Sequence, residues 1–425
     1  MDKSSQKDRD YIWHPYTQEA LSPHNIVITH GKGTMLYDEK NNAYIDGISS
    51  WWVNIHGHGH PYIASKVAEQ AHTLEHVIFA GFTHPQAIQL AERLLLLFEF
   101  HYAKVFYSDN GSTAVEVGVK MALQYFYNKG IKKNTIIAFE NAYHGDTFGT
   151  MSVGDSRTFH SPFKDFLFDV KRIPLPNNSN FEMVQAQFQA WLENGDVAAF
   201  IYEPLVQAAA GMQMYEADRL EQLIRMAQDQ GTLCIADEVM TGFGRTGAMF
   251  AGFHMDTLPD ILCLSKGITG GFMPLGATLC TDEVYSAFYG NDKGKTFYHG
   301  HSYTAYPLAC AAANASLDLF EDTGVIDRIV AITMSHQKFL SQIKNHPLVA
   351  NTRQCGTIAA FDIIKGTESS SYRHSIRDHL AHECIARKIL LRPLGNTLYL
   401  MPPYCITEQE LYTLYGAVQE VLLTL

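Results

Sequence analysis

Two ionisable residues, each closing a short apolar run, carry the first chemical signal in this chain. Asp237 ends Leu233-Cys234-Ile235-Ala236-Asp237, and Lys266 follows Ile261-Leu262-Cys263-Leu264-Ser265. Apolar runs of this length, bounded by turn signals, read as buried parallel strands, and such strands deliver their last side chains to the ligand crevice of an open sheet. A carboxylate and an amine therefore converge on one crevice. That is what pyridoxal phosphate chemistry requires: a lysine to hold the aldehyde as a Schiff base, and an acid to keep the pyridine nitrogen protonated as an electron sink. A buried Asp-Lys ion pair accounts for the two residues, taken alone, equally well.

Further candidates sit in comparable places. Tyr107-Ser108-Asp109-Asn110-Gly111-Ser112-Thr113-Ala114-Val115-Glu116 follows an apolar run and opens a helix with a stripe of Val115, Val119, Ala122 and Phe126. Thr113 and Glu116 have capping-box spacing, which would leave the backbone N–H groups of Gly111 and Ser112 at the positive helix end, a natural phosphate cradle. An ordinary capped helix is the simpler reading of that segment. Tyr143, in Asn141-Ala142-Tyr143-His144-Gly145-Asp146, falls just past another strand, where an aromatic ring can stack on a planar cofactor or simply cover the surface. Glu203, Pro204 and Gln207 follow a strand in the same way, and by themselves are only a strand end.

Arg392, in Leu390-Leu391-Arg392-Pro393, and Tyr399 beyond it stand in apolar surroundings. A planar guanidinium there suits a carboxylate clamp or a structural salt bridge. Tyr16, Trp51 and Trp52 are large aromatics in a polar, turn-rich N-terminal region. On extended backbone, neighbouring side chains point to opposite faces, so one tryptophan is expected in the core and the other facing substrate.

Two motifs point elsewhere and carry less. Gly242-Phe243-Gly244-Arg245-Thr246-Gly247 matches a dinucleotide fingerprint in spacing, but the glycine-broken stretch after it opens no helix. His56-Gly57-His58-Gly59-His60 alternates histidines, yet no cysteine or carboxylate lies beside them. A glycine-rich turn is expected there, and no metal site.

The elements that must position these residues follow from periodicity. Strands are predicted at Thr34 to Tyr37 and Ala43 to Asp46, joined by a hairpin turn over 38–42, and the first ten polar residues are expected to be disordered. From there helices alternate with apolar strands at Val105 to Tyr107, Thr135 to Phe139, Ala198 to Tyr202, Leu233 to Ala236, Ile261 to Leu264 and Ala277 to Cys280. This pattern predicts an α/β fold with a mostly parallel sheet covered by helices. A length of 425 residues exceeds one ordinary domain. The expected division is an N-terminal segment (1–60) packing with the small domain, a large α/β domain (61–312) and a smaller α+β domain (313–425). A net charge of -12 argues against nucleic acid or an anionic membrane as partner, which leaves small molecules. Seven widely spaced cysteines without a C-x-x-C pair, and no apolar stretch of signal or membrane length, fit a cytoplasmic protein.

Taken together, Ile12-Trp13-His14-Pro15-Tyr16-Thr17-Gln18, Ser50-Trp51-Trp52, Asn110-Gly111-Ser112, Ala142-Tyr143-His144-Gly145-Asp146, the Asp237 run, 242–247, Ser265-Lys266-Gly267, Arg392-Pro393 and Tyr399-Leu400-Met401-Pro402-Pro403-Tyr404 resemble the class III, or ω-type, aminotransferases of the fold-type I pyridoxal phosphate superfamily, along almost the whole chain. The likeness is strongest to members that aminate 8-amino-7-oxononanoate in biotin synthesis. It implies pyridoxal 5'-phosphate as cofactor, Lys266 as Schiff-base lysine and proton shuttle, and Asp237 on the pyridine nitrogen. Tyr143 would lie near the ring as a catalytic and substrate-binding group, and Gly111 and Ser112 would hold the phosphate. Tyr16, Trp51 and Arg392 would bind substrate, with Trp52 and Tyr399 beside them. The implied assembly is a homodimer in which the segment around Gly300-His301-Ser302 reaches the partner's phosphate, bringing in Gly300 and Ser302. Members of this type often carry Gly-Pro-Thr at that segment. Ser302 keeps the hydroxyl, but His301 replaces a rigid proline, a departure that bears on the amino donor. Adenosylmethionine is expected first and lysine second, with a class III aminotransferase of a diamine or ω-amino acid as the rival reading.

Overall fold

A computed structural model describes residues 3–22, 25–155, 161–322, 324–365 and 374–425. The chain begins with a helix at Lys3–Tyr11, where the polar composition predicts disorder. Polar contacts do the work that apolar burial does elsewhere: the Asp8 carboxylate accepts from His14 Nε2 at 3.0 Å and from Asn25 Nδ2 at 2.8 Å.

Three N-terminal strands follow, β1 (Ile28–Lys32), β2 (Met35–Asp38) and β3 (Ala43–Asp46). The large sheet takes β4 (Lys104–Ser108), β5 (Thr135–Phe139), β6 (Lys171–Ile173) and β7 (Val197–Tyr202). A hairpin of β8 (Val206–Gln207) and β9 (Gln213–Met214) intervenes before β10 (Leu233–Asp237), β11 (Ile261–Leu264) and β12 (Gly276–Cys280). The order across the large sheet is β4-β12-β11-β10-β7-β5-β6. Parallel pairing joins β11, β10, β7, β5 and β6, while β12 runs antiparallel to both its neighbours. The sheet is thus mostly parallel, as the apolar runs require. Strands β7, β10, β11 and β12 are buried along their whole length, so both faces must be covered. One cover is the helix Gly111–Asn128, whose Val115, Val119 and Phe126 share a cluster with Ile235 and Cys263.

The C-terminal part holds a second antiparallel sheet of β13 (Val349–Cys355), β14 (Ile358–Ile363) and β16 (Thr397–Leu400), with β15 (Ile389–Leu390) between them in sequence. Strand β15 leaves that sheet and pairs in parallel with β3, Leu390 opposite Asp46. Two chain segments far apart in sequence therefore end side by side, with Trp51 and Arg392 a few residues beyond. No helix among the described residues is long and apolar enough to cross a membrane.

Candidate active site

The carboxyl ends of β10 and β11 place Asp237 and Lys266 on one cavity of about 470 Å³, whose lining also includes Ser112, Tyr143, His144 and Trp52. Lys266 follows β11 with φ +44, the left-handed region, and starts a short helical turn ending at Thr269. A lysine held there marks a site that over-determines its backbone. Its Nζ stands 5.2 Å from the Trp52 ring centroid. Removal from bulk water pulls the amine's pKa below its ordinary value, against the opposing pull of Asp237 and Glu203.

Asp237 is buried and accepts two hydrogen bonds, from His144 Nδ1 at 2.7 Å and from the Val239 backbone N–H at 3.1 Å. His144 was not singled out as a site residue by sequence reasoning, although it lies within the quoted Tyr-His-Gly run. Its partner is 93 residues away, and only the fold brings them together. Glu203 is the second omission. Read from sequence as a strand end, it lines the same cavity and accepts from the backbone N–H of Tyr143 at 3.0 Å and of Ala208 at 3.1 Å. Burial pushes its carboxyl up to about 7, with Asp237 adding to the rise and His144 opposing it.

At the same edge of the sheet, just past the end of β4, the helix Gly111–Asn128 directs its first turn at the cavity. Its cap is Asn110, whose side chain accepts from Thr113 N–H while the Thr113 hydroxyl accepts from Asn110 N–H. The capping box therefore lies one turn earlier than the Thr113/Glu116 spacing predicts. Glu116 instead accepts from the Thr147 hydroxyl and the Thr150 N–H. The shift puts Gly111 and Ser112 at the first two helical positions, where N–H groups have no intrahelical acceptor. Gly111 must be glycine: a Cβ there would lie 2.6 Å from Val239 Cγ1. A helix N-terminus for an anion, a buried carboxylate for a protonated ring nitrogen, a lysine amine whose pKa burial lowers for an aldehyde and Tyr143 beside them form a donor set that fits pyridoxal phosphate.

The aromatic wall continues from this cavity. Ser49, Ser50, Trp51 and Trp52 have φ of 52, 45, 71 and 77°, four successive non-glycine residues in the left-handed region. Such a turn costs about 1–2 kcal/mol per residue. Trp52 is 5% exposed and Trp51 38%, so one packs and the other opens outward, but through a left-handed turn and not the alternation of an extended strand. Trp52 Nε1 donates to Tyr399 Oη at 3.0 Å. The Trp51 ring meets Tyr16 edge-on at 5.6 Å and carries the Arg392 guanidinium 4.5 Å above its centroid. Arg392 Nη2 is buried without a hydrogen-bond partner among the described residues. Tyr16 Oη in turn lies 3.1 Å from Tyr143 Oη, and both hydroxyls bond Asp146.

Gly300 and Ser302 are not brought to this cavity within the chain. They line a separate one of about 630 Å³ with His76, Phe79 and Tyr107. The G-x-G-x-x-G run forms turns followed by a short 3-10 helix at Ala251–His254, and its Arg245 is buried with Nη1 on the Pro402 carbonyl. The histidines of 56–60 face different partners: His56 bonds Ser316 Oγ and His58 bonds Asp46.

The family model for aminotransferase class III matches residues 16–422. The adenosylmethionine-8-amino-7-oxononanoate aminotransferase of Synechococcus elongatus is 47% identical over 97% of this chain and 98% of its own length. The enzyme of the same name from Helicobacter pylori is 38% identical over 98% and 96%. Among solved structures, the aminotransferase of that name from Methanocaldococcus jannaschii superposes with a TM-score of 0.92 at 36% identity, covering 99% of each chain. An amine transaminase from an uncultivated Pseudomonas species, solved with PLP bound, superposes with a TM-score of 0.90 at 30% identity, covering 97% of this chain and 98% of that one. With the lysine, the carboxylate and a helix N-terminus at one cavity and these matches running from end to end, the chain belongs to the class-III aminotransferases.

Proposed function

We propose that the chain transfers an amino group from adenosylmethionine to the ketone of 8-amino-7-oxononanoate, giving 7,8-diaminononanoate for biotin synthesis, with pyridoxal phosphate as cofactor. The observation that carries the substrate assignment is Arg392, a guanidinium stacked on Trp51 whose buried Nη2 has no partner among the described residues. That is the state of a clamp built for a carboxylate supplied by substrate. The names of the relatives at 47% and 38% identity support the same reading.

Bound pyridoxal phosphate supplies an electron sink conjugated to the substrate carbon that loses its proton. Asp237, held in orientation by His144 and the Val239 N–H, would offer its charge to the ring nitrogen. Lys266 works as a base only when neutral, and its lowered pKa favours that form. Its Nζ takes the proton from the donor's α carbon, and in the second half of a ping-pong cycle returns one to the acceptor carbon. Gly111 and Ser112 would hold the phosphate, and Tyr16, Trp51, Trp52 and Tyr143 would wall the methylene chain and the sulfonium donor. Tyr399, buried and off the cavity, acts through the hydrogen bond it accepts from Trp52 Nε1.

The working unit in this reading is a homodimer, with Gly300 and Ser302 completing the partner's phosphate site. Exposed Ile78, Phe82, Tyr298 and Tyr303 around that segment supply apolar surface for a second copy. Seven free cysteines support a reducing compartment, the cytoplasm.

The test is to load the protein with pyridoxal phosphate and offer adenosylmethionine and lysine in separate cuvettes. Adenosylmethionine should bleach the pyridoxal absorbance, and 8-amino-7-oxononanoate should restore it. Bleaching by lysine alone would move the donor to lysine, and no restoration by the oxo acid would overturn the acceptor.

A further inference from the structure

Asp46 and His58 lie outside the cavity, and no chemistry assigned above uses them. We infer that they are positioning residues for substrate specificity: they lock the left-handed turn Ser49–Trp52, and with it the seat of Trp51 under Arg392. The inference rests on the substrate roles of Trp51 and Arg392 proposed above.

The turn's own hydrogen bonds do not choose its hand. Trp52 N–H donates to Ile48 O and Val53 N–H to Ser49 O, both at 3.0 Å, a spacing that a right-handed turn makes equally well. L-residues prefer the right hand, so the left-handed form must be imposed by groups outside the turn. Asp46 is such a group. Fully buried, it accepts four hydrogen bonds: Ile48 N–H (3.1 Å) and Ser50 N–H (3.0 Å) on Oδ1, Ser50 Oγ (2.7 Å) and His58 Nε2 (2.9 Å) on Oδ2. It grips Ser50 by backbone and side chain at once, inside the strained stretch.

His58 fixes the carboxylate in turn. Its backbone pairs with Gly33, N–H to O at 2.7 Å and O to N–H at 3.1 Å, and its Nδ1 lies 3.0 Å from Asn54 Nδ2. Nδ1 thereby accepts and Nε2 donates to Asp46. A Cβ on Gly31 would come within 2.7 Å of His58 Cβ, so the His58 side chain packs directly on the bare backbone of β1. Asp46 is also the β3 residue opposite Leu390, two residues before Arg392. The clamp and its aromatic seat are thus referenced to one point of one sheet.

The experiment compares His58→Ala, His58→Gln and Ser50→Ala in the pyridoxal phosphate-loaded protein. Glutamine keeps a donor toward Asp46, whereas the two alanines each remove one bond from Asp46 and leave the fold's core intact. Misplacement by about 1 Å can cost on the order of 100-fold, and removing one of four bonds should raise KM for the oxo acid about 10-fold in the alanine variants. Their kcat and cofactor content should stay near the parent values, their near-ultraviolet tryptophan dichroism should fall, and His58→Gln should restore both readouts. Parent-like KM and dichroism in both alanine variants would overturn the inference. So would loss of cofactor in step with KM, since the network would then be general scaffolding. Dichroism needs no substrate, so it still decides whether Asp46 and His58 hold the turn if the oxo acid proves not to be the acceptor.

Discussion

His144 Nδ1 lies 2.7 Å from Asp237 Oδ2, and the imidazole's other nitrogen is buried without a hydrogen-bond partner among the described residues. The ring is therefore committed to one task, holding the carboxylate that lines the Lys266 cavity. A hydrogen bond to a charged group is worth about 1.5–3 kcal/mol, so His144→Phe, which keeps a ring and removes the donor, should weaken pyridoxal phosphate binding by roughly ten-fold or more. Titrating the apoprotein with the cofactor measures it. An unchanged dissociation constant would mean that Asp237 needs no such support.

Glu203 gives a pH signature. Its folded pKa of about 7 lies above the ordinary 4.5, so between those values the folded state binds more protons than the unfolded one. The contribution to stability is whole below pH 4.5 and is lost as pH rises through about 7. The rise corresponds to about 3 kcal/mol for a fully buried group. Melting temperatures of the apoprotein at pH 5 and pH 8 should differ less in Glu203→Gln than in the parent. Glu238, buried and also pushed to about 7, contributes in the same direction and stays in both proteins, so the difference isolates Glu203.

These two residues also mark where the sequence stops being legible. Asp237 and Lys266 announce themselves because a charge at the end of an apolar run can be read locally, and the strands behind them fall where the runs predict. His144 and Glu203 acquire meaning only from neighbours dozens of residues away, which periodicity does not encode. The helix Lys3–Tyr11 was invisible because tertiary polar contacts, and no apolar stripe, hold it. The Trp51-Trp52 pair splits into a buried and an exposed ring as expected, but the buried Trp52 is the one that lines the Lys266 cavity. The backbone is not the extended one expected, since nothing in Ser-Ser-Trp-Trp signals a left-handed turn without Asp46 beside it.

Arg392 and Trp51 should act as one unit on carboxylate-bearing substrates. Arg392→Ala removes a charge-assisted clamp and should raise KM for the oxo acid by on the order of 100-fold. Trp51→Leu keeps apolar bulk in the wall but removes the stacking face under Arg392, worth about 1 kcal/mol, and should raise it roughly five-fold. In the double variant the two effects should fall short of additive, because Trp51 acts through the guanidinium it seats. Full additivity in steady-state kinetics would separate the two residues.

The strongest test of the shared site is complementation between two inactive variants. Lys266→Ala should lower turnover by on the order of 10⁴-fold or more through loss of the proton-transferring amine. Ser302→Asp places a carboxylate where the proposed dimer brings a hydroxyl to the partner's phosphate, and like-charge repulsion should empty both sites. In a mixed dimer, the subunit carrying Ser302→Asp keeps its own Lys266 and receives an intact Ser302 from its partner. One of its two sites is then whole. With free subunit exchange half the dimers are mixed, so about a quarter of the sites should regain activity. The cavity holding Gly300 and Ser302 is separate from that of Lys266 within the chain, so a monomeric enzyme could not produce this recovery. Mixing after exchange and finding no activity above the two separate variants would remove Ser302 from the partner's site.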